Sequence, residues 1–115
     1  MVKGENGSIG PAASLEPGVL SPSEAAHDIG TYQTVQFHVS RTYTDSSGTE
    51  FLDQFRNYSK GFVVTIFARY LGDFGVDPAA TYLDSTIRVS GYLENYDGYL
   101  EILNPLNILQ VNGPN

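Results

Sequence analysis

Arg41, Arg56, Lys60 and Arg69 are four of the six basic residues in the chain, and all fall within residues 41–69. Tyr43, Phe51, Phe55 and Tyr58 are interleaved with them. Cations neutralise phosphates and aromatic rings stack on exposed bases, so this mixture suits a single-stranded nucleic acid. The competing reading makes Phe51 and Phe55 core residues and the cations a solvated edge. Arg56, Tyr58 and Lys60 sit in a polar connection and are the least core-like of the set.

Little else in the chain suggests chemistry. There is no cysteine, which removes thiolate metal sites, disulfides and a cysteine nucleophile. His27 and His38 are too few for a histidine metal centre without carboxylate help. Asp73, Asp77, Asp84, Glu94, Asp97 and Glu101 crowd the second half but lack the alternating ligands of a calcium loop. No phosphate loop, nucleophile elbow or paired-histidine zinc motif is present. The expectation is a binding module, not an enzyme, with no cofactor and no metal.

A net charge of −7 runs against a polyanionic partner, because most nucleic-acid binders carry a basic field. Two partner classes therefore stay open. One is single-stranded nucleic acid, met by Arg41, Tyr43, Phe55, Arg56, Tyr58, Lys60 and Arg69. The other is a protein surface or a second copy of the chain, met by aromatic strands or the N-terminal arm, since tyrosine is enriched at interfaces. No apolar run reaches the length of a membrane helix, so the chain reads as soluble, with export from a cell left open.

The elements that must position these residues follow from pattern. Residues 1–20 are rich in Gly, Pro, Ala and Ser and read as a flexible arm, leaving 21–112 as one domain. Ser21-Pro22-Ser23-Glu24 is a capping box opening a short helix over 22–29, with Gly30 as its stop. Thr34 to Thr44 alternates as one long strand, with Val35, Phe37 and Val39 inward. Asp45-Ser46-Ser47-Gly48 turns it into a strand over Thr49–Phe55. Phe62 to Ala68 is apolar almost throughout, as a covered central strand is. Residues 69–84 read as a helical connection in which Asp77 and Pro78 begin a helix. Thr86 to Glu94 alternates again, Asn95-Tyr96-Asp97-Gly98 signals a hairpin turn, and Tyr99 to Leu103 returns. The expected core is Val35, Phe37, Val39, Val64, Ile66, Ile87, Val89, Leu93 and Ile102.

Five strands with a helix between the third and fourth is the order of an OB barrel, so the expected fold is all-β, a five-stranded antiparallel OB-type barrel. Particular stretches also carry a resemblance. Ser21 to Gly30 followed by Tyr32–Val39, then Phe51–Tyr58 with Phe62–Phe67, then Ile87–Ile102 with Asn104-Pro105 and Ile108 are similar to a small bacterial OB-fold family. That family often sits beside nuclease or phosphoesterase domains and is regarded as nucleic-acid binding. The resemblance spans about residues 19–112 and implies an accessory, non-catalytic role.

Overall fold

A computed structural model describes residues 15–56 and 60–111. Most of the expected arm, and Tyr58 with its two neighbours, lie outside them. The described chain begins with a two-residue strand β1 (Val19–Leu20) that pairs parallel to β2 (Tyr32–His38). Between them stands helix α1 (Pro22–Ala25). Its capping box forms as the sequence requires: the Ser21 hydroxyl accepts the Glu24 N–H at 3.2 Å, and Glu24 accepts the Ser21 N–H at 2.8 Å. The helix is shorter than expected. It ends at Ala25, and residues 26–30 continue as turns that bring the Gly30 N–H to the Leu93 carbonyl, at 2.7 Å.

The long first strand of the sequence reading is two strands. β2 ends at His38 and β3 (Arg41–Thr44) belongs to another sheet. The corner is sharp: the Val39 N–H donates to Ser85 on one side, and the Ser40 N–H donates to Asp53 on the other. β4 (Glu50–Asp53) and β5 (Phe62–Ile66) follow, then a 3-10 helix over Ala68–Phe74 and helix α2 (Pro78–Tyr82). The other long strand breaks in the same way, into β6 (Thr86–Tyr92) and β7 (Glu94–Tyr96), with Leu93 between them. β8 (Tyr99–Leu103) and β9 (Leu109–Gln110) complete the order.

Two mixed sheets result among the described residues. One runs β1-β2-β6-β9 and the other β3-β4-β5-β8-β7. The arrangement is compatible with an OB-like β fold, but it is not the five-stranded antiparallel barrel that the sequence suggested. β5 and β8 are parallel, which requires a long crossover; the two helices, β6 and β7 supply it. Splitting at Val39–Ser40 and at Leu93 turns the two long strands into four.

The core lies where the inner faces of the sheets meet. All nine residues expected there are buried. Leu52, Phe62 and Leu100 join them, and the Phe37 and Phe62 rings meet edge-on at 4.8 Å, tying β2 to β5. Each fully buried aliphatic or aromatic side chain contributes roughly 1.5–3 kcal/mol. Where β6 crosses β8 there is no room for a side chain: a Cβ on Gly91 would sit 2.6 Å from Ile102 Cγ2. Gly91→Ala should therefore overpack this crossing and cost roughly 1–3 kcal/mol in denaturant unfolding. An unchanged unfolding midpoint would show that the sheets do not approach so closely.

One buried carboxyl ties α2 to the sheet. Glu50 is only 5% exposed; its Oε1 accepts the Ala79 N–H at 2.8 Å, and Asp77 hydrogen-bonds to it. Asp77 occupies the expected N-cap position but makes no capping hydrogen bond. Burial, with the Asp77 carboxyl beside it, raises the Glu50 pKa from 4.5 to about 7. The fold thus favours the neutral acid. Its contribution is fully present below the unfolded value of 4.5 and is lost as pH rises through about 7. Glu50→Gln keeps both hydrogen bonds without the charge, so its stability should exceed the parent's at pH 8 by on the order of 1–3 kcal/mol and match it near pH 4. Urea unfolding of both proteins across that range measures this, and parallel pH profiles would refute it.

Candidate nucleic-acid interface

Strand alternation determines what faces away from the core. On the five-stranded sheet, Thr42, Leu52, Val64 and Ile102 share one register row, and the last three are buried in the core. The neighbouring rows must point outward. One contains Arg41, Asp53, Val63, Glu101 and Glu94, and the other Tyr43, Phe51, Thr65 and Leu103. Tyr96 pairs with Tyr99 at the hairpin end.

Ten of these outward residues and hairpin residues line a cleft of about 470 Å3: Arg41, Tyr43, Phe51, Asp53, Val63, Thr65, Tyr96, Asp97, Tyr99 and Glu101. The Tyr43 and Phe51 rings stack at 6.0 Å and 28°, and the Arg41 guanidinium lies 5.6 Å from the Tyr43 ring centroid. Arg41 Nη1 also donates to Asp53 Oδ2 at 3.2 Å. Burial pushes the Asp53 carboxyl above its ordinary range, and the Arg41 guanidinium pulls it back. Deeper in, the Thr65 hydroxyl donates to Glu101 Oε2 at 2.5 Å, and both residues are buried.

The hairpin closes one end. Asp97 and Gly98 have φ of 53° and 86°, the positive pair of a type I′ turn, as the sequence indicated. Lys60 lies across it: its Nζ donates to the Asp97 carbonyl at 2.6 Å and sits 5.8 Å from the Tyr99 ring centroid. Phe55 and Lys60 help line a second hollow, of about 320 Å3, shared with α1.

The sequence candidates are thus dispersed. Arg41 and Tyr43 are in the cleft, and Lys60 is beside its hairpin wall. Arg56 is exposed and pairs with Asp84 at 3.8 Å. Arg69 stacks between Phe67 and Tyr70, at 5.1 and 4.9 Å, on the 3-10 helix. Tyr58 lies outside the described residues. Phe51, weighed above as a core residue, is a cleft wall, and Leu52 is the core residue. Tyr96, Tyr99, Asp53 and Glu101 were not among the candidates. The alternation of β4 and β8 carried the signal, since Asp53 follows the inward Leu52 and Glu101 lies between the inward Leu100 and Ile102. Among the described residues no group of three or more His, Asp or Glu side chains is arranged to hold a metal ion. No helix among them is long and apolar enough to cross a membrane.

No family model matches the chain, and no curated protein matches it. Among solved structures it is similar to a putative aspartyl-tRNA synthetase from Leishmania major, with 13% identity, a TM-score of 0.55, and 90% of this chain and 23% of that one covered. Asparaginyl-tRNA synthetase from Pyrococcus horikoshii gives 12% identity, a TM-score of 0.55, and coverage of 83% and 23%. The hypothetical protein ygiW from E. coli gives 16% identity, a TM-score of 0.49, and coverage of 81% and 89%. The chain spans about a quarter of each synthetase, and at these identities the likeness shows the fold alone.

The turn that walls the cleft can be tested directly. Gly98→Val forces a β-branched residue to φ near 86° and drives its Cβ to 2.6 Å from Lys60 Cδ. A destabilisation of roughly 1–3 kcal/mol is expected in thermal or urea unfolding. A neutral substitution would mean that the hairpin closes by another turn.

Proposed function

We propose that the chain is a non-catalytic binding module that holds single-stranded nucleic acid across the outward face of β3, β4, β5 and β8. The observation that supports this most is the Tyr43–Phe51 stack with the Arg41 guanidinium beside it, at an open cleft. Stacking on such rings is worth about 1–3 kcal/mol per base and tolerates any sequence. The fold likeness to two enzymes named for tRNA is consistent with this reading, and covering about a quarter of each suits an accessory role. An OB-like barrel presents its strand faces to oligonucleotides in this manner.

Electrostatics constrain how the strand lies. The cleft offers one guanidinium and three carboxylates, so bases must enter it while phosphates stay outside. Affinity should be modest and strongly salt-dependent in a chain of net charge −7. The same carboxylates favour a second reading, a protein-interaction module that takes a basic side chain between the tyrosines.

Titration of a fluorescent mixed-sequence single strand of about twelve nucleotides, at low and physiological salt, tests the proposal. Binding at low salt is expected, and Tyr43→Ala should weaken it about ten-fold. Binding of a lysine-rich peptide with no binding of the strand would overturn it in favour of the second reading.

A further inference from the structure

The cleft floor presents acceptors to a ligand. The Thr65 hydroxyl is spent on Glu101, and Arg41 donates to Asp53. Asp53 and Glu101 are left as the carboxylates beside Val63 in one register row, on strands to either side of it. Glu101 is 8% exposed, so a hydrogen bond made there faces little competition from bulk water. Thr65 occupies one lone-pair site of a group that has about four and fixes the plane of the carboxyl. Tyr43 and Phe51, from β3 and β4, and Tyr96 and Tyr99, from the β7–β8 hairpin, line the same cleft.

A base that enters this cleft must therefore bring donors. The pairing edge of thymine or uracil flanks a single N–H with two carbonyls, and a carboxylate repels both. Adenine and cytosine each offer one amino group beside a bare ring nitrogen. Guanine alone presents two adjacent donors, N1–H and the N2 amino group, spaced to meet the two oxygens of one carboxylate. This is the bidentate geometry that makes the arginine fork effective, with the roles reversed.

We propose that the cleft selects a guanine base, with the Glu101 carboxylate accepting from its N1–H and N2 amino group while the base packs against the aromatic rings that line the cleft. This rests on the nucleic-acid reading above and adds base identity to it. A good bidentate contact discriminates against a wrong base by roughly five-fold to a hundred-fold.

The test uses the full chain and short deoxythymidine strands whose central base is guanine, hypoxanthine, adenine, cytosine or thymine. The guanine strand should bind about ten-fold tighter than the thymine strand. Hypoxanthine, which lacks the N2 amino group, should lose most of that gain without any change to the protein. Glu101→Gln retains an oxygen for Thr65 but replaces the other acceptor with an amide donor, and should abolish the guanine preference. Equal affinities across the five strands, or a guanine preference that survives Glu101→Gln, would overturn the inference and leave the nucleic-acid reading standing. Failure of every strand to bind would overturn that reading, and this inference with it.

Discussion

The parallel pairing of β5 with β8, from Phe62 opposite Leu100 to Thr65 opposite Leu103, is the constraint on which the remainder of the structure depends. It joins two apolar strands at the centre of the larger sheet. Their inward residues Phe62, Val64, Leu100 and Ile102 are buried and supply much of one half of the core. Because side chains alternate, the same register sends Val63, Thr65 and Glu101 outward into the cleft. A slip of one residue would exchange the two sets, burying a carboxylate in the core and exposing Ile102. Core and cleft are therefore two faces of one pairing.

That pairing can form only because the two long strands bend. Val39 still bonds to Ser85, just before β6 of the smaller sheet, and Ser40 already bonds to Asp53 in the larger one. Leu93 acts similarly on the other side, exchanging hydrogen bonds with Gly30 and Thr31 before Glu94 pairs with Glu101. Both corner residues, Val39 and Leu93, are fully buried, which anchors the bends by packing. The Phe37–Phe62 contact then holds the sheets face to face.

An acidic chain with two buried glutamates must compensate each of them, and it does so differently. Glu50 is held as an acid by burial and by Asp77, at the contact of β4 with α2. Glu101 is met by a threonine hydroxyl at the bottom of an open cleft. The first arrangement serves architecture, joining a short helix to a strand. The second puts a carboxylate in the lining of the cleft, and so contributes to its acidic character.

The local pattern of the chain was sufficient for the core, the capping box at Ser21–Glu24 and the turn at Asp97-Gly98. Each of these depends on residues close in sequence or on strict alternation, where intrinsic geometry dominates. Strand breaks at Val39 and Leu93 were not legible, because a buried bend preserves the apolar residue that a straight strand would also have. Nor was the parallel partner of β5, which lies 36 residues beyond Thr65 at the contact made by Glu101. The cations adjacent along the chain, Arg41, Arg56, Lys60 and Arg69, separated in space. Asp53, Phe51, Thr65, Glu101 and Tyr96 came together instead, from strands whose order no local periodicity encodes. Alternation along one strand says which residues share a face, whereas the neighbours across that face are chosen by pairing between distant segments, and pairing is a property of the folded sheet.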